Sequence, residues 1–331
     1  HSPHPPPPDT RCTVQAHSPP RAAPPPPRGA APRGGTRRRT FGAKTALSLF
    51  LFMVPAIVFV VWFTYLPMLQ GAQMAFRDWN TWDLTSTPWV GLQNFVTVFQ
   101  APAFPIVAGN TVMWVVGSII PQLVIGFILA LWLRKKFRFR GVYQALVFYP
   151  WAVSGFLIGL LIRWMFNAEF GVFNDLLMKA GIISQPVPWL ADPSLAMTSV
   201  IVANFWYGVT FFAIMILAAL QSVPDELLEA ASLDGAGMAR LLFSVIYPSS
   251  STTLLLTVLL RVIWIFNFPD IIYAMTGGGP ANRTDIITTW MIKYTQLGNY
   301  GLSSAIGLLV MAFLLVFCAF YLMAMGRVNK R

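Results

Sequence analysis

The residues able to do chemistry in this chain are few, and they stand out because their background is so apolar. Residues 224–237 form the most polar segment of the second half, between two apolar runs each long enough to cross a bilayer. A short polar helix in that position has no core to join. It sits in water at the membrane face, where its chemistry is contact with another protein. The local signals predict a helix. Ser222 stands three residues before Asp225 in a capping-box pattern, and Pro224 is tolerated in a first turn. Asp225 and Glu226 suit the positive end of the helix dipole. Leu227, Leu228 and Ala231 give an apolar stripe with Glu229 beside it, and Gly235 and Gly237 stop the helix.

Arg261 is the second candidate. It lies well inside an apolar run, where an arginine costs about 2.5–3.5 kcal/mol on insertion scales, so it must face a cavity or a partner. Two readings stay open: contact with a polar or anionic solute, or a structural pairing with Asp270 or another subunit. Covalent chemistry has little to work with. The histidines are His1, His4 and His17, all in the N-terminal tail, and the acidic residues nearest the spans, Glu169 and Asp270, lie just past their ends. Cys12 and Cys318 make neither a disulfide framework nor a metal site. Gly277-Gly278-Gly279-Pro280 is glycine-rich, yet it lacks the Gly-Lys-Ser/Thr of a phosphate cradle, so a turn or re-entrant loop at the outer gate is the better reading. The expectation is a non-enzymatic chain with no ATP site, metal or cofactor of its own.

These residues must be positioned by membrane helices. The chain has 331 residues, of which 56% are hydrophobic and 11% charged, against about 25% charged in soluble domains. Six spans are predicted, at about 46–69, 106–133, 142–166, 195–220, 249–268 and 302–325, giving an all-α polytopic membrane protein. Residues 1–40 are rich in Pro, Arg and Ala and predict a disordered tail ahead of a membrane domain at 41–331; the chain opens on His rather than Met, so this start need not be the native one. Arg37-Arg38-Arg39-Thr40-Phe41 has the look of a twin-arginine export signal, but the apolar run that follows exceeds the usual length of about 7–15 residues. A retained helix is expected.

The net charge of +11 is unevenly placed. Residues 37–39 with Lys44, the run 134–140, Arg240, and Arg327, Lys330 and Arg331 fall on one side of the predicted spans. Arg77, Lys179, Arg283 and Lys293 fall on the other. The positive-inside rule then puts both termini and the polar helix in the cytoplasm. The same placement argues for membrane orientation rather than nucleic-acid binding. The run 134–140 is explained by that rule alone, although it also suits anionic lipid.

At this point the sequence resembles a family. Glu229-Ala230-Ala231, then Gly235, Val245 and Tyr247-Pro248, is similar to the EAA loop of binding-protein-dependent ABC importer permeases, departing from it only by Val for Ile and Tyr for Leu. The resemblance implies a cytoplasmic coupling helix, with Glu229, Ala230, Ala231, Asp234, Gly235 and Gly237 docking on a separate ATPase. Trp89-Val90-Gly91-Leu92-Gln93-Asn94-Phe95, Met275-Thr276 leading into Gly277–Pro280 with Thr284 beyond, and Tyr300-Gly301 with Ser304-Ala305 resemble the carbohydrate branch, which includes the maltose, lactose and glycerol-phosphate systems.

That resemblance implies a subunit of a bacterial plasma (inner) membrane sugar importer. Its implied partners are a second permease, two copies of an ABC ATPase that carry ATP and Mg, and an extracellular or periplasmic sugar-binding protein. A sugar needs hydrogen bonds for its hydroxyls and an aromatic face for its C–H surface. On the two spans that hold sugar contacts in the family, this chain offers Asn204, Tyr207, Gly208, Phe211, Arg261, Trp264 and Asn267. Two rival classes are weaker. An ion-coupled secondary transporter calls for acidic residues within spans, and an intramembrane enzyme calls for histidines or paired acids there.

Overall fold

The computed structural model describes residues 43–83, 85–135, 137–221, 223–224, 226–227, 231, 233–241, 244 and 247–328. The N-terminal tail, the Arg37–Thr40 motif, Ser222, Asp225, Leu228, Glu229, Ala230, Val245, Lys330 and Arg331 lie outside those residues. Residues 43–57 of the described chain group as one unit and residues 58–328 as another.

The helices are α1 (Ala43–Val60), α2 (Leu66–Met74), α3 (Gln93–Gln100), α4 (Phe104–Arg134), α5 (Arg140–Phe148), α6 (Gly155–Met165), α7 (Val172–Lys179), α8 (Ala196–Gln221), α9 (Met238–Leu241), α10 (Tyr247–Phe266), α11 (Asp270–Met275), α12 (Ile287–Gln296) and α13 (Tyr300–Val328). A π-helical turn, Val61–Tyr65, joins α1 to α2 directly before Pro67, whose ring cannot donate to the preceding turn. Strand pairing among the described residues is limited to isolated bridges, such as Arg77 with Trp89.

Among the described residues, five stretches are long and apolar enough to cross a membrane as they stand, and a sixth does so only as a bent pair. The third predicted span, about 142–166, is that bent pair. Arg140–Ala152 and Gly155–Met165 meet at 97°. Pro150 sits in a 3-10 turn, and Val153 ends it in an extended conformation. Gly155 then restarts the helix against the Phe268 ring, where a Cβ would lie 2.2 Å from the ring edge. The fifth predicted span, 249–268, falls on α10; the apolar stretch continues past a break at 267–269 into α11 and ends at Met275, and the loop that holds Gly277–Pro280 follows.

The core of the second unit is α4 against α8. Gly126 lets them approach, since a Cβ there would stand 2.6 Å from Phe212 Cβ. Most of α8 is buried, which fits a helix apolar all round. Trp114 Nε1 on α4 donates to the Ile265 carbonyl on α10 at 3.1 Å, and Tyr321 Oη on α13 donates to the Leu255 carbonyl at 2.9 Å.

Two of the segments singled out in the sequence meet at one end of the spans. Asn94 Nδ2 donates to the Ala75 and Arg77 carbonyls, both at 2.9 Å. Gly301 presses on the same turn: its amide donates to the Trp79 carbonyl at 3.1 Å, and a Cβ would fall 2.5 Å from the Arg77 carbonyl oxygen.

Candidate functional site

The polar residues of α4, α8 and α10 converge in one seam inside the membrane domain. Arg261 on α10 is fully buried, and its Nε donates to Gln122 Oε1 on α4 at 3.0 Å. Gln122 Nε2 donates in turn to the Asn204 carbonyl on α8 at 2.8 Å, and Asn204 Nδ2 to Ser118 Oγ at 2.9 Å. The chain of bonds thus runs through three spans. Gly208 makes it possible. A Cβ there would lie 1.9 Å from Arg261 Nη2 and 2.4 Å from Gln122 Nε2. The guanidinium packs against the face of Phe211, with Cζ 5.4 Å from the ring centroid.

This seam is not fully satisfied. Arg261 Nη1 and Nη2 and Asn204 Oδ1 are buried without a hydrogen-bond partner among the described residues. No ion pair joins Arg261 to Asp270 among them, so that structural pairing is not formed. Phe211 in turn stands beside Trp151 and Trp264, the three ring centroids lying 6.2–6.5 Å apart. Trp151 and Trp264 are exposed on the chain while Phe211 is buried. The ring cluster next to the seam combines apolar ring faces with hydrogen-bond donors.

Of the predicted pathway residues, Asn204, Gly208, Phe211 and Arg261 come together and Trp264 borders them. Tyr207 is buried and stacks on Phe268 with centroids 5.4 Å apart. Asn267 is exposed at the end of α10, and its amide donates to the Ile263 carbonyl of its own helix at 3.1 Å. Sequence reasoning missed Gln122, Ser118 and Trp151. Gln122 carried a usable signal, as the only glutamine within the second predicted span.

The polar segment after α8 is held to α4 by Arg134, whose Nη2 donates to the Val223 carbonyl at 3.3 Å. Its stop is a Schellman turn: the Ala236 amide donates to the Ala231 carbonyl at 3.0 Å around Gly235, which has φ +72°. Asp234, Gly235 and Gly237 are exposed. An exposed carboxylate and two glycines at a capped helix end form a surface that another protein can approach closely.

The loop that holds Gly277–Pro280 is closely stapled. Gly277 and Gly278 have φ of +59° and +88°. Thr276 and Thr284 share a hydroxyl bond of 2.7 Å, and Thr284 Oγ1 donates to the Gly279 carbonyl at 2.6 Å. Asp285 is fully buried, bonded by Thr289 Oγ1 at 3.0 Å and paired with Lys293 Nζ. Burial pushes the Asp285 carboxyl above its ordinary range, and Lys293 only partly opposes that. A cavity of about 540 Å³ opens between this loop and the end of α6, lined by Arg163, Asn167, Glu169, Thr276 and Pro280 among others.

Comparison with known proteins agrees with this architecture. The chain is 33% identical over 281 residues to the trehalose/maltose transport system permease protein MalF of Thermococcus litoralis, covering 85% of this chain and 94% of that one. It is 32% identical over 294 residues to the diacetylchitobiose uptake system permease protein DasB of Streptomyces coelicolor, covering 87% and 90%. Among solved structures it superposes on a chain of a bacterial ABC transporter involved in import of the acidic polysaccharide alginate, with a TM-score of 0.76 and 25% identity, covering 86% of this chain and 97% of that one. Residues 122–331 match the family described as binding-protein-dependent transport system inner membrane component. The chain belongs to that family of ABC importer permeases.

Proposed function

We propose that this chain is the permease subunit of an ATP-driven saccharide importer and that its solute passes the seam formed by Gln122, Asn204, Gly208, Phe211 and Arg261, with Trp151 and Trp264 at its edge. The observation that carries the reading is the run of saccharide-transport relatives over more than four-fifths of the chain. The seam supports it locally. It pairs ring faces with hydrogen-bond donors, the combination a sugar needs, at a membrane depth where polar groups are tolerated only beside water or other protein.

In this reading a second permease completes the pathway, and two ATPase subunits hold ATP and Mg. A sugar-binding protein delivers the solute from outside. Both termini and the turn around Gly235 face the cytoplasm, with Glu229, Ala230, Ala231, Asp234, Gly235 and Gly237 at the ATPase interface. The chain itself hydrolyses nothing. Solute binding must differ between outward- and inward-open states for ATP to drive net movement.

The test is uptake by the assembled importer with Glu229→Arg and Gly235→Asp. Complexes that reach the membrane should lose ATP-driven uptake while still binding loaded binding protein. Unchanged uptake, or uptake that survives ATP depletion and collapses with an uncoupler, would refute the reading.

A further inference from the structure

The cleft between the end of α4 and the start of α5 has a use separate from the solute pathway. Its cavity measures about 580 Å³ and is lined by Trp132, Lys135, Phe137, Arg138, Tyr143 and Val147, with leucines of α4 behind them. The lining is graded. Along α4 and α5 toward the loop that joins them, it runs from Leu129 and Val147 through Trp132, Leu133 and Tyr143 to Lys135, Phe137 and Arg138. None of the lining residues is acidic, and neither Lys135 nor Arg138 belongs to an ion pair among the described residues. Phe137 and Tyr143 pack edge to face at 5.6 Å, and Arg138 lies over the Phe139 ring at 5.1 Å. Phe139 itself is left-handed, with φ 64°, so the loop turns sharply between the two helices.

The depth is that of the membrane boundary. α4 has 31 residues and therefore a length of about 46 Å at 1.5 Å per residue, which exceeds a hydrocarbon core of about 30 Å. Its final turn, with Trp132 and Arg134, lies where indoles and cations meet headgroups. A groove that is apolar on the bilayer side, aromatic at the boundary and cationic at the rim is complementary to one kind of molecule. The geometry points to a site for an anionic phospholipid, with its phosphate against Lys135 and Arg138 and its first acyl segment against Trp132 and Val147. Positive residues near a span end satisfy orientation without any cavity; the preformed cleft beside them is what calls for a ligand. The inference needs the chain to span a membrane and does not depend on the proposed solute.

The test uses the whole importer in nanodiscs of phosphatidylcholine, with acyl-brominated phosphatidylglycerol or acyl-brominated phosphatidylcholine added. The Trp132 fluorescence is isolated by subtracting the Trp132→Phe complex. Each basic side chain near an anionic headgroup is worth about fivefold in partitioning, so two predict a preference of about thirtyfold for the brominated phosphatidylglycerol. The Lys135→Gln/Arg138→Gln complex should lose it, and the Lys135→Arg/Arg138→Lys complex should keep it. Equal quenching by the two lipids, or a preference that survives in the double glutamine complex, overturns the site. Absence of quenching by either lipid also overturns it, because another subunit then covers the cleft.

Discussion

Arg261 Nε donates to Gln122 Oε1 across two spans at 3.0 Å, and this is the only hydrogen bond the buried guanidinium makes among the described residues. Replacing Gln122 with Leu keeps the volume close and leaves all three guanidinium nitrogens unpaired. The expected cost is about 1.5–3 kcal/mol, the range for a hydrogen bond to a charged group. Thermal unfolding of the purified importer measures it. Arg261→Met combined with Gln122→Leu should recover much of the loss, since removing both partners of a buried polar pair is far milder than orphaning one.

Gly208→Ala puts a methyl group where the Arg261 guanidinium and the Gln122 amide now lie. The guanidinium must leave its place against Phe211. Solute uptake should fall at least about tenfold, equivalent to 1.4 kcal/mol of lost stabilisation. The same substitution in an Arg261→Met background should cost much less. Equal losses in the two backgrounds would show that Gly208 does not act through the guanidinium.

Gly235→Ala tests the turn after the polar segment. Alanine in the left-handed region costs about 1 kcal/mol, and the bond from the Ala236 amide to the Ala231 carbonyl loosens with it. ATP hydrolysis stimulated by loaded binding protein should drop, while Gly237→Ala, at a position without positive φ, should have a smaller effect.

Asp285 gives a pH signature. Its folded carboxyl is held above the unfolded value by burial. A raised folded value means its contribution is most favourable below the unfolded carboxyl range, about 3.9, and is lost as pH rises through the folded value. Relative to Asp285→Asn, the wild-type importer should therefore lose thermal stability on going from acid to neutral pH. A stability difference that is flat with pH would contradict this.

Gly278→Ala carries two penalties at once: φ is +88°, and a Cβ would collide with Asp285 Oδ1. The loop from Thr276 to Thr284 should open, seen as faster hydrogen exchange at Thr284 and Asp285. Gly277→Ala meets no neighbouring atom and has only the backbone penalty.

The apolar runs made the spans readable, because lipid imposes one simple rule on length and composition. The family signature was readable because its glycines are tied to backbone geometry: Gly235 and Gly278 occupy the left-handed region, and Gly301 touches the Arg77 carbonyl. What escaped was tertiary. The bend at Pro150 looks, by composition, like any other membrane proline, and the contact of Gly155 with Phe268 joins residues more than a hundred positions apart. Gln122 joined Arg261 over a similar separation. Asn267 bonds locally, its side-chain amide donating to a carbonyl one turn back in its own helix.

The corner between α5 and α6 leaves part of a main chain uncoiled between two halves of a span, with Ser154 exposed on the chain. Peptide groups at such a depth starve unless something hydrates or covers them. Whichever neighbour or fluid quenches that thirst at the elbow decides how readily the two arms can fold and straighten.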